Sequence, residues 1–94
     1  DIEQSFYTKL SENTYLFDGK THLNDFLKVL SFDEDYLDEA KGEAETLAGL
    51  MLEIRKDFLR RGETLAYRRL TLRVDAMDGR RIDKIRVTVA DSED

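Results

Sequence analysis

The hydrophobic period of the chain changes from two to 3.6 and back again. Phe6, Thr8 and Leu10 alternate with their neighbours, and Tyr15 and Phe17 follow beyond Ser11–Asn13, which predicts two short strands joined by a tight turn. Asp18-Gly19-Lys20 then interrupts the pattern. Leu23, Phe26, Leu27 and Leu30 fall at i, i+3, i+4 and i+7, one face of a helix with Thr21 as its expected N-cap. The same spacing recurs at Leu47, Leu50, Met51 and Ile54, in a helix predicted from about Ala44 to Phe58. Glu43 and Glu45 near its start and Arg55 and Lys56 near its end suit the helix dipole, and Gly62 reads as the stop signal.

Beyond that point the period returns to two. A short strand is expected at Thr64–Tyr67. Leu70, Leu72, Val74 and Ala76 then alternate against Thr71, Arg73 and Asp75. After an Asp78-Gly79-Arg80 turn, Ile85, Val87 and Val89 alternate against Lys84, Arg86 and Thr88, which makes a hairpin. Between the helices, the acidic stretch "SFDEDYLDEAKGEAE" predicts an irregular or short helical connection with Tyr36 and Leu37 turned inward. Residues 90–94 read as a frayed tail. The order is β-β-α-α-β-β-β, an α+β domain with two helices on one face of a mostly antiparallel sheet. Its expected core is Phe26, Leu27, Leu30, Leu47, Leu50, Met51, Ile54, Leu72, Val74, Ile85 and Val87.

One position resists the pattern. Gly49 lies inside the second helix, where glycine costs about 1 kcal/mol relative to alanine. The reading that accounts for it is close approach of another backbone, expected to be a strand of the sheet.

With 94 residues, 40% of them hydrophobic, residues 1–94 are long enough for one domain and one core. The absence of cysteine excludes disulfides and thiolate metal sites, and no run approaches the roughly 18 apolar residues of a membrane span. A chain that opens on Asp1 reads as a piece excised from a longer protein. The net charge of −6 is unevenly spread. Asp1–Ile54 holds 13 acidic and 4 basic residues, whereas Arg55–Asp94 holds 8 and 11. An acidic chain without a dense basic stripe counts against nucleic-acid binding.

Candidate chemistry is sparse. His22, the single histidine, has no nucleophile motif beside it and reads as a solvent-exposed residue at a helix start. In "DEDYLDE", Asp33 and Asp35 match the first two ligand positions of a calcium loop, but Asp38 and Ala44 stand where Gly and Glu are required. A solvated acidic segment is the simpler reading. The pairs Arg60-Arg61, Arg68-Arg69 and Arg80-Arg81 suit phosphate or carboxylate contact, or else plain outward charge on a sheet. "GEAETLAG" is neither a dinucleotide fingerprint nor a P-loop. No catalytic residue, metal-ligand set or cofactor-binding residue is singled out.

Four motifs in order carry a resemblance: "YLFDGKTHLNDFLKVL", "ETLAGLMLE", "RRGE" and "RIDKIRVTV". Together they resemble the CorC/HlyC transporter-associated domain, in which a D-G turn, a D-T-L-A-G-L helix, a G-E turn and an R-I-x-x-V-x-V strand follow one another. Asp18-Gly19, Thr46–Leu50, Gly62-Glu63 and Arg81-Ile82 stand at those places. Two departures are visible: Glu45 replaces the family's Asp, and Lys56 and Leu59 replace a glycine and a proline before the G-E turn. The exit of the second helix is therefore expected to be longer or differently bent.

The resemblance implies a non-enzymatic regulatory or interaction domain at the cytosolic C-terminus of a CorC-like magnesium and cobalt transport protein. Relatives include putative hemolysins and gliding-motility-associated proteins. The expected partners are CBS modules, the membrane domain of the parent chain and a second copy of the domain, at the cytoplasmic face of the membrane. The fragment itself is not expected to insert. Similarity to part of the flavin-binding fold of the vanillyl-alcohol-oxidase type leaves an alternative, a sensor for FAD or an adenine nucleotide, although no cofactor is expected from the residues.

Overall fold

The computed structural model describes residues 6–91. Strands β1 (Tyr7–Ser11) and β2 (Thr14–Asp18) form a hairpin around Glu12 and Asn13. Helices α1 (Leu23–Leu30), α2 (Asp38–Lys41) and α3 (Leu47–Arg55) follow, then strands β3 (Thr64–Tyr67), β4 (Leu70–Asp78) and β5 (Arg81–Val89). The five strands form one antiparallel sheet in the order β1-β2-β5-β4-β3, so the N-terminal hairpin is added beside the last strand. The α+β architecture is the expected one, with a third, four-residue helix inside the acidic connection.

One face of the sheet is covered. Phe17, Leu70, Leu72, Val74, Ile85 and Val87 are fully buried against Phe26, Leu47, Leu50 and Met51 from the helices. The opposite face carries Thr71, Arg73 and Arg86, all exposed. Phe17 anchors an aromatic group, edge-on to Phe26 at 4.9 Å and stacked on Tyr7 at 5.5 Å. Tyr36 and Leu37 are turned inward as expected.

Several local expectations are corrected. Thr21 is not the cap of α1; its hydroxyl donates backwards to the Asp18 carbonyl at 2.7 Å, and His22 takes the cap position through its backbone alone. The second long helix is shorter than its hydrophobic pattern, because Thr46 caps its start and Lys56 ends it in the left-handed conformation, φ 62°. Gly62 is thus not a helix stop; its φ of 92° serves the turn that leads into β3. Leu30 and Ile54 are half-buried, because α1 and α3 end where those residues stand.

Ile82 is buried although strict alternation with Ile85 would point it outward. The ladder steps from Val74↔Ile85 to Ala76↔Lys84 and then Met77↔Ile82, so each strand skips one residue and Ile82 returns to the core side. At the C-terminal end Ala90 is held on both sides, donating to Arg69 O at 2.8 Å and accepting from Arg69 Nε at 2.9 Å. Asp91 is exposed, and residues 92–94 of the predicted tail lie outside the described residues.

Candidate functional site

Three of the four motifs that carry the family resemblance meet at the end of β2, while Gly62 and Glu63 bond to Val74 of β4. Gly19 N donates to Asp83 O at 2.8 Å, and Gly19 O accepts from Ala48 N at 2.8 Å. Leu47 N donates to Thr21 O at 2.9 Å, Leu23 N donates to Glu45 O at 3.0 Å, and His22 and Thr46 form an isolated antiparallel bridge. Thr46 Oγ1 accepts from Gly49 N at 3.2 Å. The first three N–H groups of α3 are therefore all used inside the protein. A helix N-terminus binds phosphate through such groups when they are free, and here they are not.

Close backbone approach does occur, but at Gly19 and not at Gly49. A β-carbon on Gly19 would lie 2.1 Å from Ile82 O and 3.0 Å from its carbonyl carbon. The nearest neighbours of one on Gly49 would be Ala44 Cβ and Thr46 Oγ1, both at 3.3 Å. Gly49 is thus tight against the chain's own entry into α3, where Thr46 folds back to cap it, and the expected strand contact is absent. Beside this junction Lys84 forms an ion pair with Asp18. That hydrogen bond, with the charges of Asp18 and Asp83, holds the Lys84 ammonium above the usual lysine range against the opposing effect of partial burial.

The acidic connection is tied down by the second arginine pair. Tyr36 OH accepts from Arg69 N at 3.0 Å, and Tyr36 O accepts from Arg68 Nη1 at 3.3 Å and Tyr67 OH at 3.5 Å. The Arg68 guanidinium lies over the Tyr36 ring at 4.1 Å, and that of Arg69 lies 5.2 Å from the Phe32 ring. Arg68 takes φ 52° to turn from β3 into β4. Nothing local in the sequence announces this clamp, since its partners stand 31 to 33 residues apart.

The remaining candidates do not converge. His22 is exposed and has no side-chain cap bond. Asp33, Glu34, Asp35, Asp38 and Glu39 are exposed, and among the described residues no three His, Asp or Glu side chains come together to hold a metal. Arg60-Arg61 and Arg80-Arg81 are exposed in the loop after α3 and at the β4–β5 turn. On the bare sheet face Arg73 and Arg86 are cross-strand neighbours, and Arg86 pairs with Asp75 at 3.4 Å. A shallow polar depression beside the β1–β2 turn is lined by Lys9, Ser11, Glu12, Asn13 and Asp91.

The chain is 32% identical over 82 residues to a polyamine export protein of Escherichia coli K12, a match covering 87% of this chain and 18% of that protein. It is 28% identical over 100 residues to the magnesium and cobalt efflux protein CorC of Pasteurella multocida, covering 99% of this chain and 32% of that one. The chain thus spans under a third of these relatives. The transporter-associated domain of a Porphyromonas gingivalis CBS domain protein superposes with a TM-score of 0.85 at 35% identity, over 90% of this chain and 98% of that one. A CorC_HlyC domain from a Xylella fastidiosa hemolysin, solved in complex with Mg²⁺ and Mn²⁺, superposes with a TM-score of 0.74 at 21% identity, over 93% and 100%. Residues 8–91 match the CorC_HlyC family model, described as a transporter associated domain, and the chain belongs to that family.

Proposed function

We propose that this chain is a regulatory and interaction module of a CorC-like membrane transport protein that moves magnesium and cobalt, lies on the cytoplasmic side, and performs no catalysis. The observation that carries the reading is the use made of the family motifs. Asp18–Thr21 and Thr46–Gly49 join helix to sheet, with the backbone groups of Gly19, Leu47 and Ala48 and the hydroxyls of Thr21 and Thr46 turned on one another. What the domain offers outward is charged surface, acidic on the α2 side and arginine-rich at the β4–β5 turn and the loop after α3. The names of the relatives, efflux and export proteins, agree with a transport parent, and the Porphyromonas relative points to CBS modules as neighbours.

The sensor alternative meets a physical obstacle. The phosphates of FAD or an adenine nucleotide would find no free N–H group at the start of α3, where the first three are already bonded within the protein. The Xylella neighbour makes Mg²⁺ and Mn²⁺ worthwhile probes, yet this chain gathers no three carboxylates among its described residues.

The test is deletion of this segment from the full-length parent, followed by transport assays with magnesium, cobalt and polyamines, alongside thermal-shift screening of the isolated chain with FAD, ATP, AMP, Mg²⁺ and Mn²⁺. The expected result is altered transport with membrane insertion retained, and no ligand shift. A ligand at 100 times its Kd would add about 2.7 kcal/mol of stability. A shift of that size with FAD or a nucleotide would replace the module reading with the sensor reading.

A further inference from the structure

Two Asp-Gly steps punctuate the chain, Asp18-Gly19 and Asp78-Gly79, and the fold treats them oppositely. No other aspartate precedes a glycine. Such a step carries its own chemistry. The glycine amide nitrogen attacks the aspartyl side-chain carbonyl carbon, since glycine has no β-carbon to crowd the approach. The new N–C bond closes a five-membered succinimide ring, and the carboxyl oxygen leaves as water. Addition of water to either ring carbonyl breaks the ring C–N bond. One direction restores aspartate; the other gives isoaspartate, whose main chain runs through the side chain. The sequence is redox-neutral and needs only water.

At Gly19 each part of the reaction is blocked. The residue is buried, its N–H donates to Asp83 O at 2.8 Å, and its carbonyl accepts from Ala48 N at 2.8 Å. The Asp18 carboxylate is held by Lys84. Swinging the Asp18-Gly19 peptide toward that carboxylate would break both backbone bonds and press on Ile82 O, already within 2.1 Å of the β-carbon position. At Gly79 these restraints are missing. Asp78, Gly79 and Arg80 are all exposed at the β4–β5 turn. Among the described residues Gly79 N donates to no backbone carbonyl and Asp78 has no ion pair. Beyond the neighbouring residues, nothing lies within 4 Å of the β-carbon position at Gly79, so the ring has room. Rotation there disturbs only the pairing of Asp78 with Arg81, the last rung of the ladder.

We infer that Asp78 is a site of spontaneous isoaspartate formation in the folded protein, and that the Gly19 junction keeps Asp18 from the same fate. The modification adds one methylene to the main chain at the turn and leaves the net charge unchanged. Register carries its effect inward, because the Asp78–Arg81 rung adjoins Met77↔Ile82, and Ile82 O is the atom packed on Gly19. Isomerisation at the turn therefore loosens the strand that supports the junction. The product is an isoaspartyl carboxylate on an exposed hairpin, open to methyl transfer from S-adenosylmethionine by a repair enzyme. The inference goes beyond the module reading and does not depend on it.

The test is ageing of the isolated chain, whose relatives were solved as single domains almost wholly matched by it. It is incubated at neutral pH in heavy-oxygen water, with and without urea, and isoaspartate at each site is read by electron-transfer fragmentation of its peptides. In the folded chain Asp78 should isomerise at least about ten-fold faster than Asp18, because two hydrogen bonds at Gly19 must break first. Each event should leave one heavy oxygen at residue 78. In urea the two sites should react at similar rates. Asp78→Glu, which cannot close a five-membered ring, should show no product at that position. Ageing should lower the melting temperature of wild type and not of Asp78→Glu. Equal rates at the two sites of the folded chain, isoaspartate at Asp78 only in urea, or a product without heavy oxygen overturns the inference. An isomerised chain that melts like fresh protein overturns the link to the junction.

Discussion

Gly19→Ala puts the junction at the end of β2 to its hardest test. The added methyl would lie 2.1 Å from Ile82 O, so about 1.3 Å must open to reach an ordinary contact near 3.4 Å. Neither side yields cheaply: the obstacle is backbone, and Ile82 is fixed in the β4–β5 ladder opposite Met77. Overpacking of this kind costs about 1–3 kcal/mol. Opening the gap also stretches Gly19 N–Asp83 O and Ala48 N–Gly19 O, two hydrogen bonds worth about 1 kcal/mol each. The sum is about 3–5 kcal/mol, against a total stability of about 5–14 kcal/mol for a chain of this length. At roughly 4–8 °C per kcal/mol the melting temperature should fall by about 12 °C or more, read by circular dichroism. Gly49→Ala is the companion measurement. Its two contacts at 3.3 Å work against a helix-propensity gain of about 1 kcal/mol, so the net change should stay within about 1 kcal/mol of zero. If Gly19→Ala melts within a few degrees of wild type, or Gly49→Ala is the more damaging of the two, the assignment of the close approach to Gly19 fails.

Four further outcomes are expected. Leu50→Ala, at a fully buried position in α3, should cost about 2–5 kcal/mol in urea denaturation, and a loss near zero would mean that α3 packs by another face. Lys56→Gly should raise stability by up to about 1 kcal/mol, since φ 62° suits glycine and only an exposed ion pair to Glu53 is lost; a lower melting temperature would contradict the helix ending described above. Arg68→Gly should be milder than Arg68→Ala, because both lose the contacts to Tyr36 but only Ala keeps φ 52° unfavourable, and the reverse order in thermal melts would refute this. Because the folded-state pKa of Lys84 is raised, its ion pair contributes in full below the ordinary value of 10.5 and is lost as pH rises beyond it. Lys84→Met should thus lower stability slightly at neutral pH, by under about 1 kcal/mol for a pair this exposed, and the gap to wild type in thermal melts should close at high pH.

Local pattern was enough to place the elements and the main layer of the core. The 3.6-residue spacing of Leu47, Leu50 and Met51 and the alternation of Leu70, Leu72 and Val74 each state which side of one element faces inward, and all six are buried. A buried face repeats at the period of its own backbone, so a single sequence can show it. The order of the D-G, T-L-A-G, G-E and R-I-x-x-V motifs was likewise enough to point to the family.

What the pattern could not supply were contacts between distant segments. Asp18-Gly19 looks like any turn until Ile82 O is placed beside it, and Gly49 looks like the site of close approach until Thr46 is seen folding back to cap α3. Arg68 and Arg69 read as outward charge, yet Tyr36, more than thirty residues away, turns them into a clamp. Ile82 falls on the wrong side of a strict alternation, and only the paired irregularities in β4 and β5 bring it inward. In each case the deciding term is steric or hydrogen-bonding geometry between segments far apart in the chain. Such geometry exists only once the sheet has set its register, so no period within one segment could have carried it.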